Sequence, residues 1–217
     1  MNDDVRLVPI GDSCLSMLFG RTIDPAVNAR CVAMAASLEQ CARPGIRDVV
    51  PTYNAVTVHF DPTRFDREDL ATELSVLAAM DWPEGADASA PVMIPVTYGG
   101  EDGPDLSTVA KFAGCSEQEV IGLHAAVVYR VYMLGFLPGF AYMGSVNTRI
   151  AMPRLDTPRM RVAAGSVGIA GEQTGIYPCE TPGGWRIIGR TAARLFDAAR
   201  ATPCLLKAGD RVRFVAV

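Results

Sequence analysis

The chain has 217 residues, of which 49% are hydrophobic and 20% are charged. This is enough apolar material for two small domains, because single domains most often contain roughly 100–150 residues. A formal net charge of −4 argues against a nucleic-acid partner, and an acidic start, together with the absence of any apolar run near the roughly 20 residues that cross a bilayer, predicts a cytoplasmic protein without membrane association.

The first third of the chain alternates between strand and helix patterns. Short apolar runs separated by turn residues predict strands at residues 5–10, 14–19, 46–51 and 55–60. Asp24 and Asp66 each precede apolar residues at helical spacing, so each is expected to cap a helix. The resulting β-β-α-β-β-α order predicts a small two-layer α/β domain over residues 1–82.

The pattern changes after residues 83–90, which have the small and polar composition of a domain linker. Strands are predicted at residues 92–96 and 127–134, and helices at residues 106–113 and 117–124. Three turn clusters rich in glycine then follow closely, at residues 165–168, 171–175 and 181–185. Because glycine permits the bends found at barrel corners, residues 91–217 are predicted to form a β-barrel domain, which makes the chain an α+β protein.

The predicted loop at residues 134–142 carries three aromatic side chains, Phe136, Phe140 and Tyr142. This is unusual, because loops normally run over the protein surface. The three rings either line a ligand pocket or plug one end of the barrel. Gln173 and Thr174, set between glycines, present a similar choice, since they either form a tight turn or offer an amide and a hydroxyl to a small amide or carboxylate.

Charged side chains and histidines supply the other candidates. Arginines crowd one stretch at Arg149, Arg154, Arg159 and Arg161. They either bind phosphate or carboxylate through their guanidinium groups or form a solvated surface. His124 ends a predicted helix, where the helix dipole favours the charged imidazole, and it is the only histidine predicted as an acid or base. His59 alternates with buried positions of its strand and is expected to be exposed.

Several common signatures are missing from the sequence. Six cysteines without a C-x-x-C pair, and only two histidines, predict reduced thiols and no metal site. There is no G-x-x-x-x-G-K-[ST] phosphate loop and no G-x-S-x-G nucleophile elbow. The residues alone therefore predict two domains with a pocket in the second, and no particular reaction.

The order and spacing of several short motifs resemble those of a known family. The motifs include Tyr98-Gly99-Gly100, Leu123-His124, Leu134-Gly135-Phe136-Leu137-Pro138-Gly139-Phe140, Gly165-Ser166-Val167-Gly168, Gln173-Thr174-Gly175-Ile176-Tyr177-Pro178, Thr181-Pro182-Gly183-Gly184-Trp185 and Ile188-Gly189-Arg190-Thr191. Together they resemble the family of the 5-oxoprolinase B subunit. That family is also labelled allophanate hydrolase subunit 1, and it includes the sensor-kinase inhibitor KipI.

The resemblance implies a fold, a reaction and two partners. The second domain would be a cyclophilin-like β-barrel, and a KipA-like partner, the C subunit, would carry a related barrel. With a third protein, the A subunit, the complex would open 5-oxo-L-proline to L-glutamate at the expense of ATP. The sequence shows no self-sufficient ATP site, so the active cleft is expected to be shared with the C subunit, and the chain is expected to be inactive alone.

Carried onto the matching positions, the resemblance gives individual residues hypothetical roles. His124 is expected to act as a polar group, acid or base, and Gln173 and Thr174 to contact the substrate. Anion and substrate binding is assigned to Arg154 and Ser166. The walls of the pocket are expected to be Phe136, Phe140, Tyr177 and Trp185. His124, Gln173 and the aromatic side chains are expected to surround one hollow of the barrel domain.

Two other functions are compatible with the resemblance. A KipI-like protein would bind the dimerisation domain of a sensor histidine kinase and inhibit its autophosphorylation. The role of allophanate hydrolase subunit 1 ranks lower, because amidase chemistry would need a serine and lysine nucleophile system that this lysine-poor chain does not show.

Overall fold

The structure is a computed structural model that describes residues 5–82 and 90–217. The chain divides into two compact units, Met1–Asp87 and Ala88–Val217. Of the predicted linker at residues 83–90, all but Ala90 lies outside the described residues. Within the described ranges, no helix is both long enough and apolar enough to cross a membrane.

The N-terminal unit consists of a four-stranded antiparallel sheet and two helices. Its elements are β1 (Arg6–Pro9), β2 (Cys14–Leu18), α1 (Pro25–Gln40), β3 (Ile46–Pro51), β4 (Ala55–Phe60) and α2 (Arg67–Ala78). The strands lie in the order β1-β2-β4-β3, and side chains from the sheet and both helices share one apolar core. The carboxylates of Asp24 and Asp66 accept hydrogen bonds from the first backbone N–H groups of α1 and α2, as predicted.

The C-terminal unit is built around a closed barrel. Its elements are β5 (Val92–Tyr98), α3 (Leu106–Ala113), α4 (Glu117–Ala125), β6 (Val128–Leu134), β7 (Ala141–Gly144), a short 3₁₀ helix (Thr148–Ile150), β8 (Arg159–Val162), β9 (Ser166–Ala170), β10 (Gln173–Ile176), β11 (Thr181–Gly183), β12 (Arg186–Arg190) and β13 (Arg211–Ala216). Seven strands close in the order β10-β7-β6-β13-β5-β12-β9, while β8 and β11 pair separately. The predicted α+β fold with a β-barrel is confirmed.

Apolar side chains fill the barrel interior and form the core of the C-terminal unit. Its largest fully buried members include Tyr129, Met143, Ile169 and Phe214. Helices α3 and α4 pack against β12 and β13. Helix α4 begins at a capping box formed by Ser116 and Glu119, and its last turn carries His124 into this interior.

Strands β9 and β10 form the wall of the barrel on which the candidate site is built. Val167, Ile169 and Ile176 point into the barrel core. Gly168 and Gly175 alternate with these residues along the strands and therefore lie on the outer face of the wall. They are direct partners in the antiparallel pair. The two glycines leave that outer face without side chains at this point.

Candidate functional site

His124 lies inside the barrel, where its ring is completely buried. It stacks on Phe214 with ring centroids 4.6 Å apart. Its Nδ1 lies 2.8 Å from the hydroxyl of Tyr98, and its Nε2 lies 2.9 Å from the hydroxyl of Thr174. Thr174 is also completely buried, so this set of polar groups lies within the apolar core.

The hydrogen bonds define one protonation state of the ring. The hydroxyl of Thr174 donates its single proton to the carbonyl oxygen of Gly168 at 3.0 Å, so toward His124 it acts as an acceptor. Nε2 of His124 must then carry the proton, and Nδ1 accepts from Tyr98. Every polar group of this chain of hydrogen bonds is satisfied by a neutral imidazole.

Burial also keeps His124 uncharged, which corrects the prediction that the helix dipole favours its charged form. Desolvation lowers the pKa of His124 from 6.5 to about 3, because a charged ring in an apolar core loses its hydration. With both nitrogens engaged and no exposed surface, the ring has no free site for a substrate proton. The geometry supports a structural role for His124 within the barrel.

Acidification is therefore expected to destabilise the barrel unit. Between the unfolded pKa of 6.5 and the folded pKa of about 3, the unfolded chain binds more protons at His124 than the folded chain does. The free energy of unfolding contributed by His124 is complete above this window and falls by about 1.4 kcal/mol per pH unit within it. Urea titrations at several pH values give the free energy of unfolding as a function of pH, and this pH dependence should be weaker in His124→Gln than in the unmodified chain. An equal pH dependence in the two proteins would contradict a neutral buried imidazole.

The aromatic side chains lie on the other side of the barrel wall. A side-chain carbon at Gly168 would meet Cβ of Trp185 at 3.0 Å, and one at Gly175 would meet Phe140 at 3.1 Å and the Trp185 ring at 3.2 Å. The two glycines therefore form a floor on which Trp185 rests. The prediction that His124 and the aromatic residues surround one hollow is wrong, because successive residues of a strand face opposite sides.

The aromatic residues form one cluster on this floor. Phe140 is at its centre, with ring centroids 5.3 Å from Tyr177, 5.4 Å from Trp185 and 4.8 Å from Tyr142. Phe140 and Tyr177 are fully buried, whereas Phe136 is 59% exposed and meets Phe140 edge-on. The rings therefore pack against the outside of the barrel wall, with Phe140 buried among them, and a role for them in lining a ligand pocket stays a prediction.

A cleft of about 230 Å³ adjoins this cluster. Val162 and Ile187 belong to both the cleft and the aromatic cluster. The polar lining consists of Glu101, Asp102, Arg159, Arg161, Ser166 and Arg190. Ser166 alternates with Val167 on β9, so its side chain points away from the barrel core and toward the cleft, on the same face as Gly168.

Arg159 is held in place by a buried carboxylate. Its Nη2 lies 2.7 Å from Oδ1 of Asp105, whose side chain is only 8% exposed. The other carboxylate oxygen of Asp105 accepts a 2.7 Å hydrogen bond from the backbone N–H of Ile187. Asp105 thus joins the start of α3 to β12 and fixes the direction of one cleft guanidinium.

The other two arginines of the cleft have more exposed partners. Nε of Arg161 lies 2.6 Å from a carboxylate oxygen of Glu180. Nη1 of Arg190 lies 3.8 Å from Oδ1 of Asp102, and its Nε donates to a backbone carbonyl. Because the Arg190 pair is long and exposed, this guanidinium is the most available of the three for a bound anion.

The predicted site residues do not all line one pocket. Arg154 is exposed and does not line the cleft. Gln173 lies on the same strand as Thr174 but on the opposite face, because neighbouring strand residues alternate. Of the predicted set, Ser166 lines the cleft, Tyr177 and Trp185 belong to the adjoining cluster, and His124 and Thr174 belong to the barrel core.

Sequence reasoning missed three residues that organise these features: Tyr98, Asp105 and Arg190. Tyr98 and Asp105 flank the Gly99-Gly100 turn and the start of α3, and Arg190 ends β12. For Asp105 the sequence offers only an aspartate directly before an apolar helix, a position typical of a helix cap, and in the structure its side chain does not cap α3. Within the described residues, no group of three or more histidine, cysteine or acidic side chains is arranged to hold a metal ion.

Comparison with known proteins defines the class of this fold. The family model for the carboxyltransferase domain, subdomain C and D, matches residues 5–206. Urea carboxylase from Kluyveromyces lactis superimposes with a TM-score of 0.74 over 98% of this chain and 22% of its own, at 19% identity, a likeness that concerns the fold alone. The protein TTHA0988 superimposes with a TM-score of 0.83 at 40% identity, over 94% of this chain, which spans 40% of that longer chain.

Closer relatives define the family. The 5-oxoprolinase B subunit of Bacillus subtilis (strain 168) is 41% identical over 98% of this chain and 92% of the relative. That of Escherichia coli O157:H7 is 46% identical over 79% of this chain and 78% of the relative. The chain belongs to the family of the 5-oxoprolinase B subunit, and the resemblance seen in its motifs is confirmed.

Proposed function

We propose that the chain is the barrel-bearing subunit of an ATP-dependent 5-oxoprolinase, which opens 5-oxo-L-proline to L-glutamate together with the C and A partner proteins of that enzyme. The observation that carries this proposal is the 41% identity to a 5-oxoprolinase B subunit over nearly the whole of both chains. The subunit name of that relative supports partner proteins, and on this basis the chain alone is expected to be inactive.

The cleft beside the aromatic cluster supports binding of a small acidic amide. 5-Oxoproline carries a carboxylate and a cyclic amide, which need a cationic partner and hydrogen-bonding groups. Arg190 offers an available guanidinium and Ser166 a hydroxyl, both lining the same 230 Å³ cleft. The aromatic cluster next to them excludes water from one wall, which strengthens polar contacts inside the cleft.

The same cleft does not fit a whole nucleotide by itself. Its volume of about 230 Å³ is below the roughly 300–1,000 Å³ of pockets that enclose larger ligands. Two of its arginines, Arg159 and Arg161, are also paired with the carboxylates of Asp105 and Glu180, which leaves Arg190 as the available guanidinium. We therefore propose that ATP binds where a partner protein completes the site, and we assign no residue of this chain to the nucleotide.

Reconstitution of the complex tests the proposed function. The purified chain should be combined with the C and A partner proteins and assayed for ATP hydrolysis that depends on 5-oxoproline. Turnover is expected from the full complex and not from the chain alone. A folded and fully assembled complex without turnover would count against the proposal.

Two arginine variants test the cleft within that complex. Arg190→Ala is expected to lower kcat/KM for 5-oxoproline by about 10- to 100-fold, because a charge-assisted contact of about 1.5–3 kcal/mol is lost. Arg154→Ala is the matched control and should stay within about twofold of the unmodified complex, since Arg154 is exposed and outside the cleft. The opposite order of effects would favour the anion role that the resemblance gave to Arg154.

The kinase-inhibitor and allophanate hypotheses stay predictions that the same preparation can test. Inhibition of sensor-kinase autophosphorylation by the purified chain would support the first. Release of ammonia from allophanate would support the second. Neither kinase inhibition nor allophanate hydrolysis requires 5-oxoproline. Omitting 5-oxoproline from the assay therefore distinguishes them from the proposed reaction.

A further inference from the structure

A cysteine and a histidine form a pair on the sheet of the N-terminal unit. Sγ of Cys14 lies 2.9 Å from Nδ1 of His59, within hydrogen-bonding reach for a sulfur donor. The two residues are direct neighbours on the antiparallel strands β2 and β4, so the strand register holds their side chains together. The histidine that the sequence predicted as simply exposed therefore has a thiol partner.

The pair lies on the face of the sheet that is turned away from the helices. The residues that alternate with the pair, Leu15 on β2 and Val58 on β4, belong to the core beneath the helices, so Cys14 and His59 point the other way. Both side chains are partly exposed. A small reagent can therefore reach the sulfur.

A carboxylate lies in the same row of the sheet. Asp48 on β3 is the register partner of His59 on the side opposite Cys14. A register irregularity lies between Ile46 and Asp48, and the Asp48 carboxylate accepts a 2.9 Å hydrogen bond from the backbone N–H of Val49. The thiol and the imidazole are therefore the pair on which the chemistry depends.

This arrangement of side chains has a recognised chemical meaning. A nucleophile within hydrogen-bond reach of a base is the core geometry of an activated nucleophile, and Cys14 and His59 have it. With Nδ1 unprotonated, His59 can take the thiol proton as the sulfur attacks an electrophile. No burial or metal ion is needed for this assistance.

The other cysteines lack this assistance. Both histidines of the chain are described, and the second one, His124, is engaged by Tyr98 and Thr174. Cys41 and Cys179 are more exposed than Cys14 but have no imidazole within reach among the described residues. Cys31 is fully buried, and burial raises the pKa of its thiol to about 12, which makes it unreactive.

We propose that Cys14 is a thiol modification site of this chain, with His59 as its general base and small uncharged electrophiles such as hydrogen peroxide as the reagents. In the peroxide reaction the sulfur attacks one peroxide oxygen, an S–O bond forms and the O–O bond breaks. The thiol proton passes through His59 to the leaving hydroxide, which departs as water. Cys14 is oxidised to a sulfenic acid and the peroxide is reduced, so atoms and electrons balance.

Site-resolved alkylation of the intact native chain tests this site. The chain is treated with a limited amount of iodoacetamide, quenched with acid at intervals and digested, and the labelling rate of each cysteine is read by mass spectrometry. Cys14 is expected to react faster than Cys41 and Cys179 although it is less exposed. A rate at Cys14 equal to or below theirs would overturn the proposal without any variant.

A variant isolates the role of the imidazole. His59→Gln should slow alkylation of Cys14 by about tenfold or more and leave the rates at the exposed Cys41 and Cys179 within about twofold. An unchanged rate at Cys14 would overturn His59 as the base. Cys31 should stay unlabelled in both proteins, and it serves as the internal control for global unfolding.

Hydrogen peroxide followed by dimedone tests the class of reagent. Dimedone traps sulfenic acids, so a dimedone adduct at Cys14 that is lost in His59→Gln is the expected result. Fast alkylation without a peroxide-dependent adduct at Cys14 would overturn peroxide as the reagent. This measurement does not involve 5-oxoproline or any partner protein. Its result is therefore independent of whether the proposed enzyme activity is correct.

Discussion

His124→Ala is expected to lower the free energy of unfolding of the barrel unit by about 3–5 kcal/mol, the range found when large buried rings are removed. The substitution removes the ring that stacks on Phe214 at 4.6 Å and leaves a cavity in a packed core. It also leaves the hydroxyl of Tyr98 without its acceptor and that of Thr174 without its donor. Buried polar groups without partners add to the cost of the cavity.

The measurement needs a signal that reports on the barrel unit alone. The chain has two tryptophans, and Trp185 is the one in the barrel unit, so urea unfolding can be followed by its fluorescence in a Trp82→Phe background. The other histidine provides the matched control, since His59→Ala alters the N-terminal unit and should leave the barrel transition unchanged within about 0.5 kcal/mol. A barrel transition that His124→Ala barely shifts would contradict the buried hydrogen-bond chain.

Asp105→Ala is expected to lower the free energy of unfolding of the barrel unit by about 2–4 kcal/mol. The variant leaves the backbone N–H of Ile187 without its acceptor and Arg159 without its carboxylate partner. The side chain of Arg159 is 31% exposed, so water compensates part of the lost ion pair and the backbone group accounts for much of the cost. The released guanidinium should also impair the cleft in the assembled complex.

Asp102→Ala is the matched control for this prediction. Asp102 also pairs with a cleft arginine, but the distance to Arg190 is 3.8 Å and both side chains are largely exposed. Its removal should cost less than about 0.5 kcal/mol, as expected for an exposed ion pair. Equal effects of the two aspartate variants in urea unfolding would show that Asp105 does not anchor β12.

Much of the fold was predictable because its signals are local. Asp24 and Asp66 mark the starts of both N-terminal helices, and the alternation at residues 55–60 reproduces β4 as found. Helix α3 was also predicted at its observed bounds. These elements depend on capping and side-chain periodicity within a few residues. Closure of the barrel was inferred more indirectly, from glycine-rich turns.

The candidate site was less predictable because it depends on which face of a strand each side chain occupies. Gln173 and Thr174 are adjacent in sequence, yet only Thr174 enters the barrel core to meet His124. His124 was assigned to a helix end correctly, but its charge state depends on burial by Phe214 and Tyr129, residues that other elements supply. The Cys14 and His59 pair needed the register of β2 against β4, which local sequence patterns do not specify.

The bare glycine floor has an optical consequence. Gly168 carries the last hydrogen bond of the interior chain on its carbonyl oxygen and supports Trp185 on its other side. The backbone of β9 and β10 therefore separates Trp185, whose Cβ lies over Gly168 and whose ring lies over Gly175, from the hydrogen bonds inside the barrel. Rearrangement on either side of this backbone should shift the emission of Trp185. The intrinsic fluorescence of Trp185 should therefore report on structural changes inside the barrel.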